Sequence, residues 1–312
     1  MGASPETACP ACGAETWTPR AAFADVPGAA VEECPCGMMR STGLPKCEDQ
    51  YEDQYYAGGT GARFAGPAES LSRWFRRRRA GAVEALHPAK GRVLDVGCGN
   101  GALLDELRTR GWEAHGTQVS RSAAAYARDK LGLDVFTGEL TDAPYTPVSF
   151  DAVMLWHVLE HLEHPTAYLS KCRELLKDDG VLVVEVPHAG SVATALGGAW
   201  GMNWDPPNHL WHFTPGTLIK AIERAGFGGR VLTQWSWEFS LVALSQSMLN
   251  RVAGSRNTLL KQLGASTDRN CALLAGHAAL GALAMLSAIP LSLYGVAAGK
   301  GEVIRVAGRK NQ

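Results

Sequence analysis

The sequence predicts an α/β protein: a mostly parallel sheet covered by helices on both faces, with a Cys-rich module before it and a long apolar stretch near its end. Three observations predict this. From Arg92 onward, short apolar runs alternate with amphipathic segments at strand–helix spacing. The first run, VLDVGCGNG (Val93–Gly101), ends in three glycines alternating with other residues, where an open α/β sheet takes a nucleotide-like ligand. Four of the eight cysteines fall within the first 36 residues.

The cysteines come as two short pairs, CPAC (Cys9, Cys12) and ECPCG (Cys34, Cys36), each followed by a glycine. Thiolates so spaced can converge tetrahedrally on Zn²⁺, and Gly13 and Gly37 admit the tight turns. The second pair is C-x-C rather than C-x-x-C, so Cys47 stands as a substitute ligand; the alternative is a loop of free thiols. CEDQYEDQYYAGG reads as a polar, aromatic connector. RVLDVG is then a strand and GALLDELRTRG a helix closed by Gly111. WEAHGTQ is a strand, SRSAAAYARDKLG a helix begun by Ser120, and DVFTG a strand. FDAVMLWHV, GVLVVEVPH and RVLTQWSW are strands, PTAYLSKCRELLKDDG a helix, and TPGTLIKAIERAGFG a helix with Thr214 as N-cap and Pro215 at its first position. This alternation implies parallel strands buried on both faces.

Composition narrows the function. At 312 residues, 46% hydrophobic and 20% charged, the chain has material for a sizeable core. A net charge of −1 gives no general attraction to nucleic acid or anionic membrane. The run RWFRRRRAG (Arg73, Arg76–Arg79) is the local exception and reads as a solvated helix face. MGASPETACPACG has neither the charged nor the apolar region of a signal peptide, so the expected setting is the reducing cytoplasm.

The glycine turn is D-V-G-C-G-N-G, neither G-x-G-x-x-G nor a Lys-containing phosphate loop. It allows close approach without a dedicated phosphate cradle, which suits an adenosine with a zwitterionic tail better than a pyrophosphate.

Here the sequence resembles the class I S-adenosylmethionine-dependent methyltransferases, in the group with an N-terminal Cys-rich module. The likeness is carried by VLDVGCGNG, by TGELTDAPYTPVSFDAVMLWHVLEHLEHP, by LLKDDGVLVVEVPH and by NHLWHFTPGTLIKAIERAGF. It implies a Rossmann-like, doubly wound, seven-stranded sheet. It also implies that Asp95, Gly97, Cys98, Gly99 and Gly101 hold the methionine end of the cofactor. Glu139 and Leu140 would contact adenine, with Trp156 and His157 beside the cofactor. Where the family usually places Asp or Glu for the ribose hydroxyls, this chain has Gln118, a weaker neutral acceptor that can still accept from one hydroxyl and donate to the other.

Methyl transfer to a hydroxyl or amine needs a positioned nucleophile and a base for its proton. Six of the nine histidines lie at or just beyond carboxyl ends of strands: His157, His161, His164, His188, His209 and His212. His209 and His212, in the aromatic loop WGMNWDPPNHLWHF, are the leading base candidates. His161, next to Glu160, belongs to an element that shapes the family's pocket. For each, ordinary hydrogen bonding is the competing role. A catalytic metal is not expected, because His161 and His164 do not complete a ligand set with Glu160.

From Cys271 to Gly299 no residue is charged. Length alone would suggest a membrane span. GEVIRVAGRK, however, looks like the last strand of the methyltransferase sheet and must lie on the same side as the rest. The segment therefore reads as a helical insertion, broken in two by Pro290. It could cap the fold, form a homodimer interface, touch a membrane surface or cradle a lipid-like acceptor. The expected division is a Cys-rich module at 1–50, a connector and helix at 51–90, a methyltransferase core at 91–238, the insertion at 239–299 and the closing strand at 300–312. The expected enzyme methylates a small-molecule or lipid-like acceptor, O- or N-directed, in the cytoplasm or at the inner face of the membrane. Two alternatives stand: a methyltransferase for a soluble sugar or natural-product intermediate, and a non-catalytic binding protein with the cofactor fold.

Overall fold

The structure, a computed structural model, describes residues 6–23, 25–45, 67–256 and 271–311. Cys47 and most of the connector lie outside them. A helix α1 (Pro67–Leu86) leads into β4 (Arg92–Val96), α2 (Ala102–Thr109), β5 (Glu113–Gln118), α3 (Arg121–Leu131) and β6 (Asp134–Thr137). Then come β7 (Phe150–Trp156), α4 (Pro165–Leu175) and β8 (Leu176–Pro187). After the short α5 (Val192–Gly197) follow α6 (Pro215–Arg224) and β10 (Phe227–Thr233), then α7 (Ser240–Ala253), α8 (Cys271–Ala297) and β11 (Val303–Lys310).

The main sheet has seven strands in the order β10-β11-β8-β7-β4-β5-β6. β8, β7, β4, β5 and β6 are parallel, and β11 runs antiparallel between β8 and β10. The chain order reverses between β4 and β7, which places the ligand crevice at their carboxyl ends. β7 is buried at every position, as an interior parallel strand should be. Ser120 caps α3 by accepting from Ala123 N, and Thr214 with Thr217 forms a reciprocal capping box on α6.

Two features depart from expectation. The N-terminal module is a small sheet, β1 (Thr18–Ala22), β2 (Ala30–Glu33) and β3 (Met39–Thr42), extended by β9 (Trp211–His212) from the aromatic loop. Cys9, Cys34 and Met38 share one buried cluster with Leu94, Phe150 and Phe213, so the module and the main sheet have a common core. The apolar insertion is not broken at Pro290, since α8 runs through it. Proline removes one helical hydrogen bond, and packing of Ala288 and Leu291 with α7 and α5 holds the axis through that point.

Candidate functional site

The glycine turn follows β4 directly. Gly97, Gly99 and Gly101 all have φ between 57° and 80°, where a side chain is strained. At Gly97 a Cβ would also lie 2.7 Å from a Val158 methyl. The turn is pinned by Gly97 N and Cys98 N donating to Thr117 O on the neighbouring strand. Its anion is Asp95, 4% exposed. Burial pushes this carboxyl up to about 7, against the pull of the Arg79 guanidinium. A cationic ligand group would restore its charge, so the turn suits an amino-acid ammonium and not a phosphate.

The other residues expected at the cofactor occupy distinct positions. Gln118 is buried at the end of β5, where its Oε1 accepts from Ser120 N at 3.2 Å. Glu139 is exposed, and desolvation of its carboxyl together with the nearby Asp142 and Glu163 raises its pKa. The Leu140 side chain lies wholly in the core, so a contact with adenine falls to its main chain. The Cys98 side chain packs behind the turn with Leu104 and Ala127. Trp156 closes β7, with the Arg79 and Arg305 guanidinium groups 5.2 and 4.7 Å from its ring.

Arg79 was expected on a solvated face. It instead points toward the crevice from α1 and pairs with Glu238 at 2.9 Å. A helix periodic enough to bury one side must turn one arginine of a run of four inward.

Beyond β7 the chain turns sharply, with His157 at φ 53°. His157 Nε2 lies 3.2 Å from Glu185 Oε1, and Nδ1 lies 3.4 Å from Glu160 Oε1. Its ring stacks on Phe239, centroids 4.8 Å apart. Burial alone would lower the His157 pKa, but the two carboxylates overcome it and raise the pKa to about 9. Glu185, wholly buried, is pulled down to about 2 by His157 and Arg305 in spite of burial. Arg305 Nη2 sits 2.6 Å from it.

His161 and His209 meet edge to face, centroids 4.7 Å apart. His161 Nδ1 donates to Asn208 O and His209 Nδ1 to Asn203 O, both at 2.9 Å. These bonds fix the Nδ1–H tautomer of both rings, and His161 Nε2 lies 4.0 Å from Glu160 Oε1. The ligand-type atoms of Glu160, His161 and His209 all lie within 4.8 Å of one another, a donor set that could also take a cation. Among the described residues the nearest cation to the buried Glu160 carboxylate is His157, with Nδ1 3.4 Å from Oε1. Burial and His209 lower the His161 pKa, which keeps the imidazole neutral near pH 7. The sequence pairs Glu160 with His161 readily. It does not show that His209, 48 positions later, completes the group.

His212 faces elsewhere. Its Nε2 is 2.8 Å from Ser41 Oγ, and Trp204 meets its ring edge-on at 4.8 Å. Burial holds its pKa well below the ordinary imidazole value. It is a strand residue tied to the Cys module, not a group open to the crevice.

The four module cysteines also converge. Cys9–Cys36 and Cys12–Cys34 sulfurs are 3.5 Å apart, Cys34–Cys36 3.6 Å, and all four lie within 4.8 Å of one another. A tetrahedral Zn²⁺ with bonds of about 2.3 Å needs sulfurs about 3.8 Å apart. The C-x-C pair thus fits the set: Gly37, at φ 87°, turns the chain so that Cys36 comes back beside Cys34.

Comparison with known proteins agrees with this geometry. A family model described as "Methyltransferase domain" matches residues 68–230. A ubiquinone biosynthesis O-methyltransferase of Cereibacter sphaeroides (strain KD131 / KCTC 12085) is 33% identical over 183 residues, 54% of this chain and 74% of that protein. Among solved structures, a SAM-dependent methyltransferase from Archaeoglobus fulgidus superimposes with a TM-score of 0.50 at 17% identity, covering 84% of this chain and 98% of that one. Phosphoethanolamine N-methyltransferase 2 of Haemonchus contortus, in complex with S-adenosyl-L-methionine, reaches 0.53 at 16% identity, covering 88% and 63%. At these identities the two structures speak for the fold.

Proposed function

The chain belongs to the S-adenosylmethionine-dependent methyltransferases, and from that premise we propose that it methylates a hydroxyl oxygen on a lipid-like quinone precursor. The observation that carries the reading is the clustering of His161 and His209 with Glu160, both rings held by Nδ1–H bonds to backbone carbonyls. The names of the curated relatives supply the acceptor class.

The cofactor supplies an electrophilic methyl group on a sulfonium. Asp95 would hold its ammonium, the Gly97–Gly101 backbone its amino-acid end, Gln118 its ribose, and the Glu139–Leu140 main chain its adenine. His161, the more open of the paired histidines, takes the acceptor's hydroxyl proton on Nε2. The new O–CH₃ bond forms as the S–CH₃ bond breaks, and S-adenosylhomocysteine leaves. His209 and Glu160 orient that base and stabilise the imidazolium it becomes. His157, with both ring nitrogens facing carboxylates, is not free to act as the base.

The same reading divides the chain into the module at 1–50, connector and helix at 51–90, methyltransferase core at 91–238, insertion at 239–299 and closing strand at 300–312. Zn²⁺ on Cys9, Cys12, Cys34 and Cys36 belongs to the same reading. Among the described residues no helix is long and apolar enough to cross a membrane. α8 nonetheless exposes Leu283, Leu286, Ile289 and Leu293 at near-helical spacing. Such a stripe suits shallow contact with a bilayer that holds the acceptor.

The test is transfer of labelled methyl from S-adenosylmethionine into separated lipid and aqueous extracts. Label in a lipid-soluble phenol ether supports the reading, and label confined to the aqueous fraction overturns the acceptor class. Vesicle flotation with Leu286→Ser/Leu293→Ser tests the stripe separately.

A further inference from the structure

The two least connected features of the sequence, the Cys module and the aromatic loop, form one sheet. β3 pairs with β9 through Met39↔His212 and Arg40↔Trp211. The connection continues inward, since Ser41 N donates to Leu210 O at 2.9 Å and Leu210 N donates to Glu160 O at 2.8 Å. Two bonds therefore link the module's third strand to the residue beside His161. Side chains reinforce the link. Ser41 Oγ meets His212 Nε2 at 2.8 Å. Phe23 packs edge-on against Trp204, and Trp17 lies 6.0 Å from Trp211.

The thiols occupy the points that fix β3. Cys34 and Cys36 form the turn between β2 and β3, where Cys34 N donates to Met38 O and Gly37 N to Cys34 O. The opposing knuckle is anchored to α6, with Arg224 Nη1 donating to Cys9 O at 2.8 Å. Closing the sulfur set thus joins a knuckle held by the core helix to the hairpin that carries Ser41. The glycine turn is held separately, by Thr117 O on β5.

We propose that the Cys module is a metal-dependent positioning element of the acceptor site. Metal on the four thiolates holds β3 in register, and β3, through Ser41, holds Leu210–His212 and the Glu160 turn for catalysis. The proposal rests on the zinc reading above. Emptying the thiolate site frees the acceptor side and leaves the cofactor side intact.

The test uses the full chain as zinc-loaded protein, chelator-treated protein, Cys36→Ser and Ser41→Ala. Four quantities are measured: zinc stoichiometry, amide exchange at 208–213 and 92–96, S-adenosylhomocysteine affinity by calorimetry, and the His212 ring ¹⁵N shifts. Chelation and Cys36→Ser are expected to lose about tenfold or more of the protection at 208–213, with 92–96 and ligand affinity unchanged within about twofold. Ser41→Ala is expected to keep its zinc, move the His212 Nε2 shift and lose protection locally, with Ser41→Thr restoring both. Because it leaves the thiolates alone, Ser41→Ala keeps the test decisive if Cys36→Ser does not fold. Zinc that binds and departs without changing 208–213 overturns the positioning role while the zinc reading stands. A protein that never takes up zinc overturns the zinc reading and, with it, metal dependence.

Discussion

The two ends of the crevice are built in opposite ways. The amino-acid end of the cofactor side is nearly continuous in sequence: β4, the glycine turn and the start of α2 occupy about a dozen consecutive positions around Asp95. The acceptor side proposed above is assembled from Ser41 on β3, Glu160 and His161 after β7 and the 203–213 loop, with the His157–Glu185–Arg305 group adjoining Glu160. A ligand common to a whole family can be held by local backbone, whereas a specific acceptor needs side chains gathered from distant segments. Damage should differ accordingly: on one side it changes binding of one small molecule, and on the other it changes turnover and stability.

The largest effect tests this directly. His161→Ala is expected to lower kcat by about 10²- to 10⁴-fold, the usual worth of a positioned base, while cofactor affinity measured by calorimetry stays put. Wild-type turnover in this variant would remove His161 as the base. Because burial and His209 lower the His161 pKa, the acid limb of the kcat–pH profile should fall below pH 6.5, the ordinary imidazole value. An inflection above that would break the assignment.

Next comes stability on the acceptor side. Glu185→Gln leaves Arg305 and protonated His157 facing a neutral amide, and should cost about 3 kcal/mol or more in chemical denaturation. The two partners also set pH windows. His157 has a folded pKa raised to about 9, so its contribution is full below the unfolded value near 6.5 and disappears as pH rises through 9. Glu185 has a folded pKa lowered to about 2, so its contribution is present above about 4.3 and is lost as pH falls toward 2. A denaturation midpoint flat from pH 6 to 10 would contradict the His157 pairing.

On the cofactor side Asp95→Asn should weaken S-adenosylmethionine binding by roughly tenfold to a hundredfold, the worth of a charge-assisted bond, without lowering the melting temperature. Asp95 titrates near 7 when free and must ionise to hold an ammonium. Wild-type affinity should therefore rise as pH approaches 7 and fall again above about 8 as the ligand's own ammonium deprotonates, with proton release in calorimetry below 7. Affinity independent of pH would place the ammonium elsewhere. The smallest effect is expected from Gln118→Glu. A carboxylate keeps the acceptor that Ser120 N uses and offers the ribose a charged one, so binding should tighten by a few fold. Unchanged or weaker binding would turn Gln118 away from the ribose.

The same contrast explains what could be read in advance. The strand–helix alternation, the Ser120 and Thr214 caps and the glycine turn are local patterns, and the structure has them in that order, except that α4 stops at Leu175 with LKDDG already in β8, and β10 runs from Phe227 only to Thr233. The sequence also marks the six histidines near strand ends, but not that His161 and His209 share a point while His212 turns to Ser41. Two residues, Trp211 and His212, are too few for a period-two pattern, so β9 reads as loop. Arg79 has no local signal to separate it from its neighbours in the run, since only the packing of α1 selects it. Pro290 reads as a break because local rules ignore the helices that pack around it.

β11 is made after everything else in the main sheet, yet it enters between β8 and β10 rather than at an edge. A growing chain therefore has its glycine turn, its paired histidines and its apolar helices before it has Arg305 to face Glu185, or Glu302 O to receive His188 N. Before residue 303 is made, β10 has no strand neighbour among the described residues and Glu185 has His157 alone as its cation. The last strand made thus supplies both the neighbour of β10 in the sheet and the second cation at Glu185.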